Sequence, residues 1–458
     1  MKKPGKKHTP KVPKLENLKH LNLHAAGLDI GASEIYACVP EDGDSPSVRV
    51  FQTFTVDLYA LADWLAACGV TTVAMESTGV YWIPVYEILE ARGVAVHLIN
   101  ARQLKNVPGR KTDVLDCQWI QQLHTYGLLR GSFRPDEDMC ALRAYIRHRD
   151  TLIRYRSAHV QHMQKALLLM NVQLTNVISD ITGVTGLQII RAIIHGERDP
   201  HTLAAYRNEH CAKSEEDIAK AFTGNYRPEH LFALKQALEL YDFYNQQITA
   251  CDQEIEQKYA AFKPQVDLTE TPLPSRKQRR NKPKGNEPAF DLRRDLYRLA
   301  GVDLTQVDGL QVLTVQTILS EIGLDMHRWP TVKHFTSWLG LAPYQDISGG
   351  KTLRTGTKKT TNRAATAFRL AAQSLHSSHS AMGGFYRRMR AKHGAPKAIV
   401  ATAHKLARIV YHLLKYREDY VDPGADYYEE KYRDRAIRNL KRKARQLGLD
   451  LVPVTAQL

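Results

Sequence analysis

From Ala25 to about residue 130, short apolar runs with the period of strands alternate with stripes of helical period. GLDIGA reads as a first strand, and IYACV and SVRVFQTF read as hairpin strands around the turn EDGDSPS. A helix is predicted over 57–68, where Leu58, Leu61 and Leu65 share one stripe. The strand TTVAMES, a helix over about 81–92, the strand VAVHLIN and a helix beginning near Thr112 follow. A meander followed by alternating helices and strands predicts a mixed sheet with helices packed on it.

Beyond Asp136 the pattern becomes mostly helical, and two segments repeat every seven residues. Ile146, Ile153, Val160, Leu167 and Leu174 form one seam, and Leu234, Tyr241, Ile248, Ile255 and Phe262 form the other. They fit an antiparallel coiled-coil hairpin, and equally the faces of a helical bundle. Between them ITGVTGLQIIRAIIHGERDP carries glycines that break helices at short intervals. Residues 263–290, with five prolines, read as a mobile linker, and 292–345 as helical in short pieces. VDGLQVLTVQTILSEIG resembles a helix–hairpin–helix element, a type that grips phosphates through backbone N–H groups at a helix start.

Charge changes the picture. The chain of 458 residues is 43% hydrophobic and 24% charged, an ordinary balance, but its net charge is +16. Residues 1–20, the run RKQRRNKPK at 276–284 and residues 431–445 together hold more than that whole excess. Positive charge so concentrated suits a polyanion partner, because cations on phosphates release condensed counterions; solubilising tails are the alternative for the two termini. The six cysteines lie far apart without a C-x-x-C pair, which fits a reduced intracellular protein and no structural zinc. The basic N-terminus lacks an apolar signal core and no stretch reaches the roughly 18 apolar residues of a membrane span, so a cytoplasmic, nucleoid-associated location without membrane attachment is expected.

The candidate chemistry starts from acids in unusual places. Asp29 sits between Leu28 and Ile30 inside a strand, and Glu76 ends TTVAMES. Buried unpaired carboxylates cost several kcal/mol or neutralise, so metal coordination accounts for collecting them. Asp113 and Asp116 in KTDVLDCQWI lie three apart at a helix start and share a face, where they serve the helix dipole or an ion equally well. Together the four have the layout of a ribonuclease-H-like site for hard Mg²⁺, and a pair of such ions about 3.5–4 Å apart suits phosphodiester displacement. A second constellation surrounds Ser348, followed by two glycines and then by Lys351, Arg354, Lys358, Lys359 and Arg363 without an intervening acid. A hydroxyl in a flexible loop facing such cations suits attack on a phosphodiester; a turn serine in a solvated loop is the structural alternative. Lys111 and these five cations are the candidate nucleic-acid contacts, and His404 reads as structural.

GLDIGAS, AMESTGVYW and GRKTDVLDCQWI resemble the RuvC-like domain of the DEDD transposases of the insertion-sequence 110 type, with their 1111 subgroup as one candidate. GVTGLQIIRAIIHGERDP is similar to the family's middle helical region, and VDGLQVLTVQTILSEIG, FTSWLGLAP and ISGGK to its C-terminal transposase domain. Pattern and resemblance together predict α/β plus all-α architecture: a basic disordered arm at 1–24, a RuvC-like DEDD domain at 25–135, a helical coiled-coil region at 136–262, a basic Pro-rich linker at 263–290, a mostly helical transposase domain with the serine loop at 291–420 and a basic helical tail at 421–458, with the arm and the run at 276–284 read as extensions beyond the family. The resemblance implies an Mg²⁺ site from Asp29, Glu76, Asp113 and Asp116, a nucleophilic Ser348, a structured noncoding guide RNA (a bridge RNA) that pairs with donor and target DNA, and a homo-tetramer whose protomers share sites. Lys359-Thr360-Thr361-Asn362 departs from the Lys-Gly-Asn of many relatives. The expected activity is RNA-guided excision and insertion of the protein's own mobile element. A RuvC-like nuclease or junction resolvase using water, or a binding protein with a decayed site, are the alternatives.

Overall fold

The structure is a computed structural model and describes residues 18–41, 43–77, 79–100, 112–207, 213–275, 285–424 and 426–450. Most of the expected basic arm, the run 276–284 and Lys111 therefore lie outside the described residues. Two compact units make up the chain, Met1–Arg134 and Pro135–Leu458.

The first unit is built on five strands: β1 (Ala25–Ile30), β2 (Glu34–Cys38), β3 (Val48–Gln52), β4 (Thr72–Glu76) and β5 (Ala95–Ile99). Their order is β3-β2-β1-β4-β5, antiparallel along the meander and parallel from β1 to β4 and β5. The sheet is mixed, as the alternation of patterns predicts. Strand alternation sends Leu28, Ile30, Ile35, Ala37, Val73 and Met75 to one face, where α1 (Thr55–Ala67) and α2 (Trp82–Ala91) bury Leu58, Leu61, Leu65, Val85 and Leu89 against them. The opposite face receives α3 (Asp113–Thr125), whose Ile120 packs on Ala74 and Ile99. Central β1 is covered on both faces, which explains its nearly continuous apolar run.

In the second unit, α4 (Glu137–Leu169) lies against α5 (Pro228–Ala261). They run antiparallel: Tyr155 meets Tyr244 with ring centres 5.8 Å apart, while further along α5 and back along α4 the Cys251 thiol donates to the Tyr145 carbonyl. Ile146 and Leu167 are buried from one helix, and Leu234, Tyr241, Ile248 and Ile255 from the other. The first seam does not continue to Leu174 inside the same helix. Asn171, at φ +57°, ends α4 in a left-handed cap, and Leu174 opens a separate short helix while remaining buried. Phe262 is likewise the cap of α5. Four short helices between Leu174 and Lys220 close a core with these long helices around Ile189, Ile190, Leu203 and Phe222.

The flanks of the basic run are fastened, where the sequence predicts a mobile linker. The Pro274 carbonyl accepts from Arg293 at 2.7 Å, and that guanidinium also binds Asp303; both side chains are buried. On the other flank, Asn286 accepts from Arg149 through its carbonyl (2.8 Å) and from Arg156 through its side chain (2.6 Å). The rest of the unit comprises α6 (Leu292–Ala300), α7 (Val312–Ile322), α8 (Val332–Trp338), the hairpin β6 (Pro343–Ser348) and β7 (Lys351–Thr357), α9 (Arg363–Ser374), α10 (Ala381–His393), α11 (Ala395–Tyr416) and α12 (Asp426–Gln446). Gly309 before α7 has φ +87°, and a Cβ there would lie 2.8 Å from the Ala371 carbonyl oxygen. Close packing onto α9 thus accounts for this glycine of the helix–hairpin–helix-like segment. Among the described residues, no helix is long and apolar enough to cross a membrane.

A histidine is buried where α3 ends. His124 shares a 2.9 Å hydrogen bond with the Thr72 hydroxyl and packs on the ring of His97. Burial, and then the charge of His97, bring its pKa down to about 4. The folded ring is neutral while an unfolded histidine takes up a proton near 6.5, so the unfolded state binds more protons between those values and stability falls as pH drops through that window. The unfolding midpoint is expected to decline from pH 6.5 to 4, at a cost of up to about 3 kcal/mol. Denaturant titrations should show a flatter profile in that window for His124→Gln.

Candidate active site

Alternation that buries Leu28 and Ile30 on one face of the sheet turns Asp29 to the other, toward α3. Gly27 and Ala74 are register partners in parallel β1 and β4, as are Leu28 and Met75. The next position along each strand is Asp29 and Glu76, so both acids lie on the α3 face at one end of the sheet, on strands about 4.8 Å apart. Both are half-buried.

Helix α3 reaches this end because it lies unusually close to β1. A Cβ at Gly27 would fall 2.3 Å from the Gln121 nitrogen and 2.4 Å from the Cys117 carbonyl oxygen, so helix backbone rests directly on the glycine. The Gln121 side chain donates to the Ala25 carbonyl at 3.3 Å. Following β1 from Ala25 to Asp29 therefore means following α3 backwards, from Gln121 through Cys117 toward Asp116 and Asp113. Thr112 caps that end, its hydroxyl accepting from the Leu115 nitrogen at 3.3 Å.

Three neighbours outside the predicted set, Glu34, Tyr36 and Cys117, share this corner. Tyr36 pairs with Asp29 across β1 and β2, and its hydroxyl donates to Glu34 at 2.9 Å. The bond to Glu34 comes first in raising the phenol's pKa, followed by the Glu34 charge, burial, and the charges of Asp113 and Asp29. Cys117 has its thiol pushed up by a hydrogen bond with Cys38, then by burial and the charges of Cys38 and Asp29. Electrostatically the corner is acidic. Its signal in the sequence is the alternation Glu34-Ile35-Tyr36, which puts the polar pair on the same face as Asp29.

Asp29 and Glu76 thus share one face, and the helix start that carries Asp113 and Asp116 lies toward the same end, but among the described residues no three of the His, Cys, Asp and Glu side chains are close enough together to hold an ion. The donor chemistry nevertheless fits a hard divalent cation, since every candidate ligand is a carboxylate and no imidazole or thiolate enters the set. Clustered like charges also repel, and a cation relieves that repulsion.

Ser348 belongs to the second unit and does not sit in a loop. It is the last residue of β6, paired with Lys351 of β7, and Gly349 and Gly350 between them both have positive φ (+55° and +76°). Two consecutive residues of that kind make the tight turn favoured in two-residue hairpins. Asp346 pairs with Arg354, which brings Arg354 to the face that carries Ser348 and Lys351. The tip is exposed throughout. Lys358 and Lys359 follow the hairpin, and Arg363 begins α9, 3.6 Å from Asp150 of α4.

Gly27 is a packing position that composition alone does not reveal. In Gly27→Ala the new methyl meets helix backbone, which cannot swing aside like a side chain, so α3 must lift from β1. The substitution is expected to destabilise the first unit by about 1–3 kcal/mol and to reduce activity more than the fraction unfolded explains. Denaturant unfolding and DNA-processing assays on the same preparation measure both.

Two family profiles match the chain. A DEDD transposase profile of the IS110 type, described as Transposase, covers residues 26–172. A second, described as Transposase IS116/IS110/IS902 family, covers residues 302–387. No curated protein matches. The first profile contains β1 to α4 and all four acids, the second contains the Ser348 hairpin, and together they span just over half of the chain. The chain therefore belongs to the IS116/IS110/IS902 family of transposases, enzymes that act on DNA.

Proposed function

We propose that this transposase moves its own element by divalent-metal-dependent phosphodiester exchange, with Ser348 as the attacking group and a structured noncoding RNA as guide. The observation that carries the proposal is the convergence of Asp29, Glu76 and the start of α3 on one face of the sheet. Asp29, Glu76, Asp113 and Asp116 would hold Mg²⁺. When bound, the metal neutralises phosphate charge and polarises the scissile phosphodiester.

The remaining chemistry belongs to the chain's own groups. Ser348 Oγ forms a new P–O bond while the P–O bond to the leaving deoxyribose oxygen breaks; the serine proton passes to a base and the leaving oxygen takes up a proton. The ester is exchanged rather than hydrolysed, so its energy is kept for rejoining. Lys351 and Arg354, on the serine's face of the hairpin, balance charge that grows on the phosphorane-like transition state. Lys358, Lys359 and Arg363 extend the positive row toward the DNA backbone, and Lys111 adds a cation before α3. Guidance by RNA and assembly as a homo-tetramer rest on the resemblance to the family.

The serine's part is tested by incubating the protein with its cognate RNA, element-junction DNA and Mg²⁺, then resolving the products under denaturing conditions. A covalent protein–DNA adduct is expected for the wild type, and its disappearance in Ser348→Ala, with strand exchange reduced by roughly 10³-fold or more. Cleavage that survives the substitution, with no adduct in the wild type, would mean that water attacks and that the enzyme is a nuclease of the resolvase kind.

A further inference from the structure

Helix α12 (Asp426–Gln446) lies outside both family matches. Its second half places Arg438, Lys441, Arg442 and Arg445 at successive one-turn spacings, and with Gln446 they line a shallow concavity of about 470 Å³. These positions form one stripe along roughly 10 Å of helix. Residues 435–449 contain six cations and no acid.

Neither of the ordinary uses of helix charge explains the stripe. Complementing the helix dipole calls for cations in the last turn only, where Lys443 and Arg445 already stand. Like charges at one-turn spacing also cost a helix about 0.2–0.5 kcal/mol per pair, and Lys441–Arg445 is such a pair. Among the described residues, no ion pair relieves Lys441, Arg442 or Arg445. A row of cations that weakens its own helix is accounted for by an external polyanion.

We infer that the Arg438–Arg445 face of α12 is a docking surface for the sugar–phosphate backbone of duplex DNA, outside the reacting strands. A duplex offers the regular row of phosphates that a straight stripe can follow, and DNA is the substrate class of the family; in this the inference rests on the DNA-acting reading above. Phosphate contacts of this kind hold a protein in register on DNA without reading its sequence. Ile437 and Leu440 occupy a separate face of the helix, 41% and 55% exposed. A basic helix with an apolar face could instead lie on an anionic membrane, which the test must separate.

The test uses the full chain carrying Lys441→Gln, Arg442→Gln and Arg445→Gln together, and Arg442→Gln alone in case the triple variant misfolds. Binding to a fluorescent DNA duplex is followed from 50 to 200 mM salt by anisotropy, with circular dichroism as the folding control. The expected result is a log K against log [salt] slope shallower by about 0.9 for each phosphate that is no longer neutralised, thus by about 2–3 in the triple variant, while adduct formation at saturating DNA is unchanged. An unchanged DNA slope overturns the inference. So does an effect confined to structured RNA or to phosphatidylglycerol vesicles. Because binding is read without chemistry, a wild type that forms no serine adduct would defeat the proposed mechanism and leave this docking surface standing.

Discussion

The seating of α3 on Gly27 is the interaction on which the first unit depends. A helix normally stands off a sheet by the thickness of its side chains; here the missing Cβ lets helix backbone touch strand backbone. That approach fixes α3 along β1, and its acidic first turn comes to the end of the sheet where Asp29 and Glu76 face the same way. Alternation along β1 does the rest, since the strand can bury Leu28 and Ile30 against α1 and α2 while turning a carboxylate to α3. One omitted methyl group therefore couples packing to the placement of charge. Glu34 brings a further carboxylate to the same corner from β2, where it accepts the Tyr36 hydroxyl.

The second unit solves a different problem, that of presenting an exposed hairpin from a rigid base. Two strands alone are marginal in water, and the Ser348 hairpin has few buried residues of its own. Its base is held by the helices before and after it. Phe335 of α8 packs on Trp329 and on Tyr411 of α11, whose hydroxyl donates to the Trp329 carbonyl at 2.9 Å. Ion pairs add orientation: Arg147 of α4 grips Glu321 of α7 through both carboxylate oxygens, at 2.7 and 2.8 Å. Between α5 and α6, Pro274 and Asn286 are fastened to this unit, the first by Arg293 and the second by Arg149 and Arg156.

Much of the first unit was legible because strand and helix periods differ sharply there, and every predicted strand and helix of the sheet is found within a few residues of its expected place. The direction of Asp29 was legible for the same reason. Glu34 and Tyr36 were not, because a short polar alternation on a strand carries no chemical signature until its neighbours are known. The seven-residue seams ran past their helices because Leu174 keeps the repeat by chance after Asn171 has ended α4. Ser348 looked like a loop residue since the segment around Gly349-Gly350 lacks the apolar alternation of a hairpin, although paired glycines are themselves a turn signal. The fastened flanks of the basic run depend on arginines more than a hundred residues away or buried within α6, which no local pattern records.

The central claim is that the corner formed by β1, β4 and α3 is a divalent-cation site. Its most direct test is Mn²⁺ binding to the full chain, read as a fall in the free-ion electron paramagnetic resonance signal, in the wild type and in Asp29→Asn and Glu76→Gln variants whose circular dichroism is unchanged. The expected result is saturable binding by the wild type, weakened about 10-fold or more in each variant, equivalent to at least about 1.4 kcal/mol. Equal affinity and stoichiometry in all three proteins would contradict it.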